Sequence, residues 1–425
     1  MILDRNIAPA FHAVKSLNFP DYHTYEVRDG LLLYGLNAGT QEVIRLDLIF
    51  NAGLIKQISL AQSAFTASML SEGTSHKSAK DLAEALDYYG SYFQTRNNAD
   101  DAVATLYCLE KHLSKCLPLF IEALTDSIFP EKELQIQKKN SIQKLMVNEK
   151  KNSYLCKKSY YANMYGKEHP YSSFSTKESI EAVNRESLQS FYSSNYILGL
   201  KYLMISGKYK DEIINQIIEE MRSTPFQLDS SENLDIQGKS NQGKHFIEKN
   251  DSVQSAIRIG KQSISRSHPE FRKLQFLNLI FGGYFGSRLM KNIREDKGLT
   301  YGIYSVIEPN LIGSSWYIDS DINTKNRSLG LEEIYKEMAK IREELIPEAE
   351  IETARNYYLG SFLRSLDGPF SLADRLKILI DYKLPNTYYP EFVEILNSLG
   401  AKELQELAQK YFSEQNIVEV IVGKK

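Results

Sequence analysis

Seven histidines and three cysteines are the side chains of this chain best suited to hold a metal ion or to act as nucleophile or base. A catalytic zinc needs imidazole, thiolate or carboxylate donors at fixed spacing. The histidines are His12, His23, His76, His112, His169, His245 and His268, and none has another three or four positions further on. Glu72 and His76 stand four apart, but Gly73 between them predicts a helix break, leaving an exposed loop pair. His169 precedes Pro170 and reads as a structural hydrogen-bonding residue. Cys108, Cys116 and Cys156 are odd in number and lack Cys-x-x-Cys spacing, so neither a disulfide framework nor a cysteine zinc site is predicted. Buried, unreactive thiols are expected instead. Ser68 has no nearby histidine, and the cysteines lack a catalytic context, so a self-sufficient serine or cysteine hydrolase finds no support.

The bulk numbers narrow the class. A chain of 425 residues predicts two to four compact units. Its 42% hydrophobic and 25% charged content is that of a globular protein. A net charge of −3 gives no reason to expect nucleic acid or an anionic membrane as partner. The lysine-rich stretch 132–158 reads as solvated helix faces. No apolar run is long enough to span a membrane. The start, Met-Ile-Leu-Asp-Arg-Asn, lacks a basic segment followed by an apolar one, so the expected compartment is the cytoplasm, or the periplasm if a leader has been removed.

The elements follow from periodicity. Residues 25–27 and 31–36 read as strands around an Arg28-Asp29-Gly30 turn. Residues 42–50 alternate, with Ile44, Leu46, Leu48 and Phe50 on one side and Val43, Arg45, Asp47 and Ile49 on the other, which predicts a half-buried strand. Helices are predicted at 60–71 and 78–89, strands at 92–96 and 102–110, and long helices at 114–127 and 131–150. Ser114 is the expected N-cap of the first long helix, which leaves Pro118 near its first turn. Residues 223–244 are small, polar and aperiodic, and predict a linker. Beyond it the order repeats: a strand at 253–260, a helix at 271–281, Gly282-Gly283, a helix at 287–297, Gly298 and a strand at 301–307. Element order and glycine positions, rather than identity, point to a duplicated α+β unit. The division is 1–225 for the first unit, 226–244 for the linker and 245–425 for the second. The 27 tyrosines could line a chamber, but core and half-buried surface are their ordinary places.

Several stretches carry a family resemblance. Residues 64–74 read Ala-Phe-Thr-Ala-Ser-Met-Leu-Ser-Glu-Gly-Thr. This frame resembles the zinc helix of the insulinase/pitrilysin metallopeptidases, the group that includes processing peptidases, whose pattern is His-x-x-Glu-His-Met-Leu-x-x-Gly-Thr. Met69, Leu70, Gly73 and Thr74 keep the frame. Phe50-Asn51-Ala52-Gly53, His169-Pro170-Tyr171 and Tyr202–Gly207 are similar to family segments. The strongest match is Gly286-Ser287-Arg288-Leu289, Ile293-Arg294-Glu295, Lys297-Gly298-Leu299-Thr300-Tyr301 and Tyr304-Ser305. The resemblance implies two homologous α/β-roll domains of α+β class, antiparallel-rich sheets packed with helices, forming half of a clamshell around a peptide chamber.

It also implies losses. The first metal-binding histidine falls on Ala64, the general-base glutamate on Ala67, the second histidine on Ser68 and the third metal ligand on Lys144. Alanine has no donor, a lone serine hydroxyl is a poor one, and a lysine ammonium repels Zn²⁺. No zinc or other cofactor is therefore expected in this chain. In active members an arginine and a tyrosine seven positions apart bind the substrate carbonyl and stabilise the charged intermediate. Arg294 and Tyr301 stand at that spacing. The resemblance so implies a non-metal subunit of a heterodimeric zinc peptidase acting on unfolded peptides. Its partner would be a homologous chain with an intact His-x-x-Glu-His motif and the zinc, and a homodimer could form in isolation. The other function the family admits is a catalytically inert structural or peptide-binding scaffold.

Overall fold

The computed structural model describes residues 14, 17–231, 236 and 238–425; His12 lies outside them. Eleven strands make two sheets among these residues. The first sheet contains β1 (His23–Arg28), β2 (Leu31–Asn37), β3 (Val43–Phe50), β4 (Tyr92–Asn97), β5 (Ala102–Leu109) and β6 (Leu200–Gly207), in the order β1-β2-β6-β3-β5-β4. The second contains β7 (Gly243–Glu248), β8 (Gln254–Ser263), β9 (Thr300–Glu308), β10 (Ser314–Asn323) and β11 (Val418–Gly423), in the order β7-β11-β8-β10-β9. With β1 removed, the two orders are the same. The senses match as well: β2–β6 and β7–β11 are parallel, and every other pair is antiparallel. The duplication suggested by element order is thus a duplication of topology, and β1 is an added edge strand of the first copy.

Each sheet is covered on both faces, and the second face is covered from the other half. On β3, Ile44, Leu46, Leu48 and Phe50 pack into the core formed with Leu117, Phe120 and Leu124 of helix Leu113–Thr125. The opposite register, Ile49 with Val103, Tyr202 and Met204, joins the core of the second half. Helix Pro369–Asp381 lies on this face, against β2 and β6. In the second sheet, Ile257, Ile259, Ile318 and Ile322 face their own helices, whereas Ala256, Val418, Val420 and Val422 pack on Tyr160, Tyr161 and Met164 of helix Asn152–Tyr165, which comes from the first half. The halves exchange a helix in each direction.

An arginine marks each exchange. Ile44-Arg45-Leu46 on β3 and Ile257-Arg258-Ile259 on β8 occupy equivalent strands. Arg45 pairs with Asp47 at 2.7 Å and reaches Asp374 of the incoming helix at 2.8 Å. Arg258 pairs with Asp319 at 2.6 Å and stacks 4.4 Å from the Tyr317 ring and 5.6 Å from Tyr160 of its incoming helix. Beside Arg45, the Lys377 ammonium sits between Asp101 and Asp381, and the Tyr202 hydroxyl donates to Asp381 at 2.7 Å. Burial works against the Lys377 charge, but Asp381 and Asp101 outweigh it and keep it protonated.

These contacts correct two expectations. Strand β3 is not half-buried: all but Val43 of its residues are buried, because the face bearing Arg45 and Asp47 is closed by the exchanged helix. The long helix does not start at Ser114. A 3₁₀ turn, Glu110–His112, runs into Leu113, His112 is the N-cap, and Pro118 lies inside the helix. The other strands and helices of the first half match within a few residues. Ser78 caps helix Ala79–Asp87 with a reciprocal Asp81 bond, and Gly90 follows at φ +64. Of the stretch 223–244, the Lys239 and Asn241 amides donate to the Tyr165 and Asn163 carbonyls at 2.9 and 2.6 Å, whereas Gly243 and Lys244, placed in the linker from sequence, already begin β7.

Breaking a buried ion pair leaves an uncompensated charge, at a cost of about 3–5 kcal/mol. Lys377→Ala leaves Asp101 without an ion-pair partner and Asp381 with only Lys201 at 3.6 Å and the Tyr202 hydroxyl, so urea denaturation of this variant should show a loss of that order. Lys80→Ala, at an exposed i,i+4 pair with Glu84, should cost under about 0.5 kcal/mol. Equal small losses for both variants would show that the Lys377 cluster does not tie the halves together.

Candidate functional site

The helix that keeps the metal-binding frame is Gln62–Met69. Ala64 is exposed on it, Ala67 is buried, and Ser68 is half-buried. The Ser68 hydroxyl donates to the Phe65 carbonyl at 3.1 Å, a bond to its own helix. The Thr95 hydroxyl of β4 donates to the Ala67 carbonyl at 2.7 Å, fixing the helix to the sheet. Lys144 is exposed on helix Glu131–Glu149. Two methyl groups, a committed hydroxyl and an ammonium do not form a donor set for zinc. Among the described residues, no three His, Cys, Asp or Glu side chains come together as a metal-binding group.

The remaining candidates have structural places. Gly73, at φ +141, ends the turn after the helix. Glu72 faces helix Glu131–Glu149, where Gln137 donates to it at 3.3 Å, while His76 is exposed. Burial raises the Glu72 carboxyl above its ordinary range and the Gln137 bond opposes that. His169 is buried; its Nδ1 accepts from the Tyr171 amide at 3.1 Å and its ring stacks on Tyr165. The three cysteines are buried free thiols, and burial pushes Cys108 up to about 12, far from a reactive thiolate.

Arg294 and Tyr301 do come together. The segment predicted as an α-helix over 287–297 is instead mostly a π-helix, Met290–Asp296, and the one predicted over 271–281 is α only over Phe271–Asn278 before a π-turn at Leu279–Gly283. Wider turns of this kind recur at functional sites. The Lys297 amide bonds back to the Asn292 carbonyl at 3.1 Å, and the Gly298 amide to that of Arg294 at 3.1 Å. Gly298 then takes φ +61, a left-handed conformation that lets the chain reverse into β9. Strand β9 is the edge of the second sheet. Its pairing with β10 runs Ile303↔Ser320 and then Thr300↔Ile322, so β9 carries one extra residue at Tyr301–Gly302. A bulge re-aims the side chain it carries. Tyr301 is 88% exposed, and the Arg294 guanidinium lies 5.2 Å from its ring and 4.6 Å from that of Phe285. Tyr304 and Phe285, at 50% and 55% exposure, extend the patch. Stacking holds the guanidinium in place while leaving its in-plane N–H groups available to an oxygen acceptor.

Buried polar contacts hold this corner. Asn292 donates to Glu333 at 3.0 Å and Glu337 at 2.7 Å, and its own side-chain oxygen accepts from Lys297. Arg288 forms a two-pronged pair with Glu350 at 2.8 and 2.9 Å. Behind β9, Trp316 Nε1 donates to Ser305 at 2.7 Å and to Asn278 at 3.1 Å. The sequence does not single out Asn292, Glu333, Glu337 and Glu350: Glu333 and Glu337 stand four apart on one helix, but Asn292 and Glu350 belong to two others, and no local pattern joins them. A cleft of about 530 Å³ between the halves does not include Arg294 or Tyr301, and several of its charged groups, Lys201 and Asp381 among them, are paired.

Comparison with known proteins covers most of the chain. Residues 62–176 match the family model described as insulinase (peptidase family M16), and residues 182–358 match that of the peptidase M16 inactive domain. The chain is similar to an uncharacterized zinc protease of Rickettsia felis, 25% identical over 92% of this chain and 95% of that one. It is also similar to the non-peptidase homolog YmxG of Helicobacter pylori, 22% identical over 89% of each. A peptidase M16 inactive domain from Pseudomonas fluorescens superposes with a TM-score of 0.87 at 22% identity, over 96% of this chain and 99% of that one. A protease from Helicobacter pylori gives 0.84 at 14% identity, over 96% of this chain and all of the other.

A hydrogen bond to a charged group contributes about 1.5–3 kcal/mol. Asn292→Ala removes three, to Glu333, Glu337 and Lys297, so a loss of at least about 2 kcal/mol is expected by urea denaturation. Amide hydrogen exchange should rise at Lys297 and Gly298, because the π-turn loses its anchor. Unchanged exchange there would show that the Asn292 network does not hold the Arg294 turn.

Proposed function

The chain belongs to the insulinase (M16) peptidase family and lacks that family's zinc ligands, and we propose that it acts as the non-metal half of a two-chain zinc peptidase. One observation carries the reading. The positions that would hold metal are chemically blank, while Arg294 of the π-helix stacks on Tyr301 of the exposed bulge, and neither side chain has a hydrogen-bond partner among the described residues. A fold kept only for packing has no need of a guanidinium sandwiched between two exposed rings.

In this reading a homologous chain with an intact His-x-x-Glu-His motif supplies the zinc and the general base. This chain contributes half the chamber wall. Its Arg294 guanidinium and Tyr301 hydroxyl donate hydrogen bonds to the substrate carbonyl oxygen, where negative charge builds up as the peptide bond is attacked. Donors fixed in advance by stacking, by the bulge and by the Asn292 anchor need little reorganisation, which is how such groups lower a barrier. The substrate is an unfolded peptide, added as a strand to the partner's sheet edge.

A second reading is a scaffold or peptide-binding protein without a catalytic part, as the name of the Helicobacter relative, a non-peptidase homolog, suggests. Reconstitution separates the two. The purified chain alone should retain no stoichiometric zinc after dialysis and should cleave no peptide. Mixed with its His-x-x-Glu-His partner it should do so, and Tyr301→Phe should lower kcat by about 10²–10³, the usual effect of losing one oxyanion-type donor. Assembly, followed by size-exclusion chromatography, should be unaffected. Full activity of the Tyr301→Phe complex, or no activity of any complex, would leave the scaffold reading standing.

A further inference from the structure

A second cluster of cations lies away from the Arg294 corner. A cavity of about 150 Å³ opens between helix Phe271–Asn278, helix Glu348–Arg364, helix Pro369–Asp381 and helix Tyr388–Ser398. Three arginines line it: Arg266, Arg272 and Arg375. Arg272 is engaged, donating to the Tyr388 carbonyl at 2.7 Å and to Glu391 at 3.1 Å. Arg266 and Arg375 have no carboxylate partner among the described residues. Arg266 is held between Phe271 and Tyr382, 5.2 and 5.4 Å from their rings, and Arg375 lies 5.8 Å from the Phe362 ring. Packing, not ion pairing, keeps these guanidinium groups beside one another.

Two polar atoms are left unsatisfied. Arg266 Nε is buried without a hydrogen-bond partner, and so is the hydroxyl of Tyr388, a residue only 7% exposed. Burial raises the Tyr388 phenol above its ordinary pKa, and Arg266, Arg272 and Arg375 all oppose that rise. Buried polar groups in folded proteins are nearly always satisfied. Three guanidinium groups lining one cavity, two of them without a carboxylate partner among the described residues, call for an anion. The Ser361 and Ser365 residues on the rim add hydroxyl groups.

We propose that this cavity is a binding site for a small phosphate-class oxyanion, held by Arg266, Arg272, Arg375 and the Tyr388 hydroxyl. Planar guanidinium forks match the oxygen spacing of phosphate, which is why arginine predominates at such sites. The volume sets the size. A cavity of about 150 Å³ accommodates a molecule of benzene's dimensions, so a five-atom oxyanion fits and a nucleotide does not. The site is separate from Arg294 and Tyr301 and stands whether or not the chain takes part in peptide cleavage. Because Arg375 belongs to the helix that closes the first sheet, an anion here would also stiffen the contact between the halves.

Isothermal titration of the full chain with inorganic phosphate, at constant ionic strength with chloride as the balancing ion, tests the proposal. Saturable binding is expected, together with a rise in Tm on adding phosphate. Arg375→Gln should weaken phosphate binding about tenfold or more, the loss of one hydrogen bond to a charged group. Tyr388→Phe removes a single oxygen and leaves the packing intact; it should weaken binding several-fold while the Tm without phosphate holds or rises, since an unsatisfied hydroxyl is gone. Arg327→Gln, which alters an arginine stacked on Phe246 and outside the cavity, should bind as the unaltered chain does. Glycerol phosphate, titrated in parallel, tells a phosphomonoester head from the free ion as ligand, and binding of either supports the site. Absence of saturable binding to the unaltered chain, or equal affinities for Arg375→Gln, Tyr388→Phe and the unaltered chain, would overturn the proposal.

Discussion

Neither sheet of this chain can be buried by its own half, and the rest of the structure depends on that. Both sheets are apolar on both faces, and each half supplies cover for only one face of its own sheet. Helix Asn152–Tyr165 leaves the first half to cover β8 and β11, and helix Pro369–Asp381 leaves the second to cover the face of β3 and β6. An exposed Ile, Leu or Tyr side chain forfeits about 1.5–3 kcal/mol of burial. Separating the halves would expose a whole sheet face on each, and no single hydrogen bond could offset it. Arg45 and Arg258 are the polar counterpart of this exchange. A buried arginine tolerates its site only while paired and stacked, and in both cases part of the pairing or stacking comes from the helix of the other half.

The rigid pair of sheets explains why an exposed corner can be held in one geometry. β9 is an edge strand with one side unpaired, an arrangement that ordinarily invites slippage. Here it is fixed from behind by Trp316, Asn278 and Ser305, and at its start by the Thr300 hydroxyl, which bonds to the Gly302 and Asp321 carbonyls at 2.9 and 2.7 Å. The π-turn before it is anchored through Asn292 to helix Arg327–Glu343. Arg294 and Tyr301 therefore project from a supported loop. In the first half, helix Gln62–Met69 is also well packed, but its positions 64, 67 and 68 offer no metal donors.

The readings that succeeded were local and those that failed were not. Alternation along β3 assigned each side chain to its correct face, because the period of two belongs to the backbone. Whether the second face meets water or a helix is decided by residues 369–381, more than 300 positions away in the chain, and no local pattern reports it. Ser114 was a sound N-cap on composition, yet the 3₁₀ turn before it started the helix earlier and left Pro118 inside. The π-turns at 279–283 and 290–296 look like ordinary helix in the sequence, since each spans little more than one turn, too short for a change of period to show. The arginines around Tyr388 come from two helices and a loop and have no common spacing at all.

The sequence by itself determined the order of elements, the repeat of that order and the absence of metal-binding side chains at 64, 67, 68 and 144. These depend on residue type and short-range spacing, which the chain carries wherever it folds. Only the tertiary structure decided which faces are buried, that the halves exchange helices, that a bulge turns Tyr301 toward Arg294, and that Arg266, Arg272 and Arg375 share a cavity. Those outcomes depend on contacts between residues distant in the chain, and burial and charge pairing are properties of the assembled neighbourhood rather than of any segment within it.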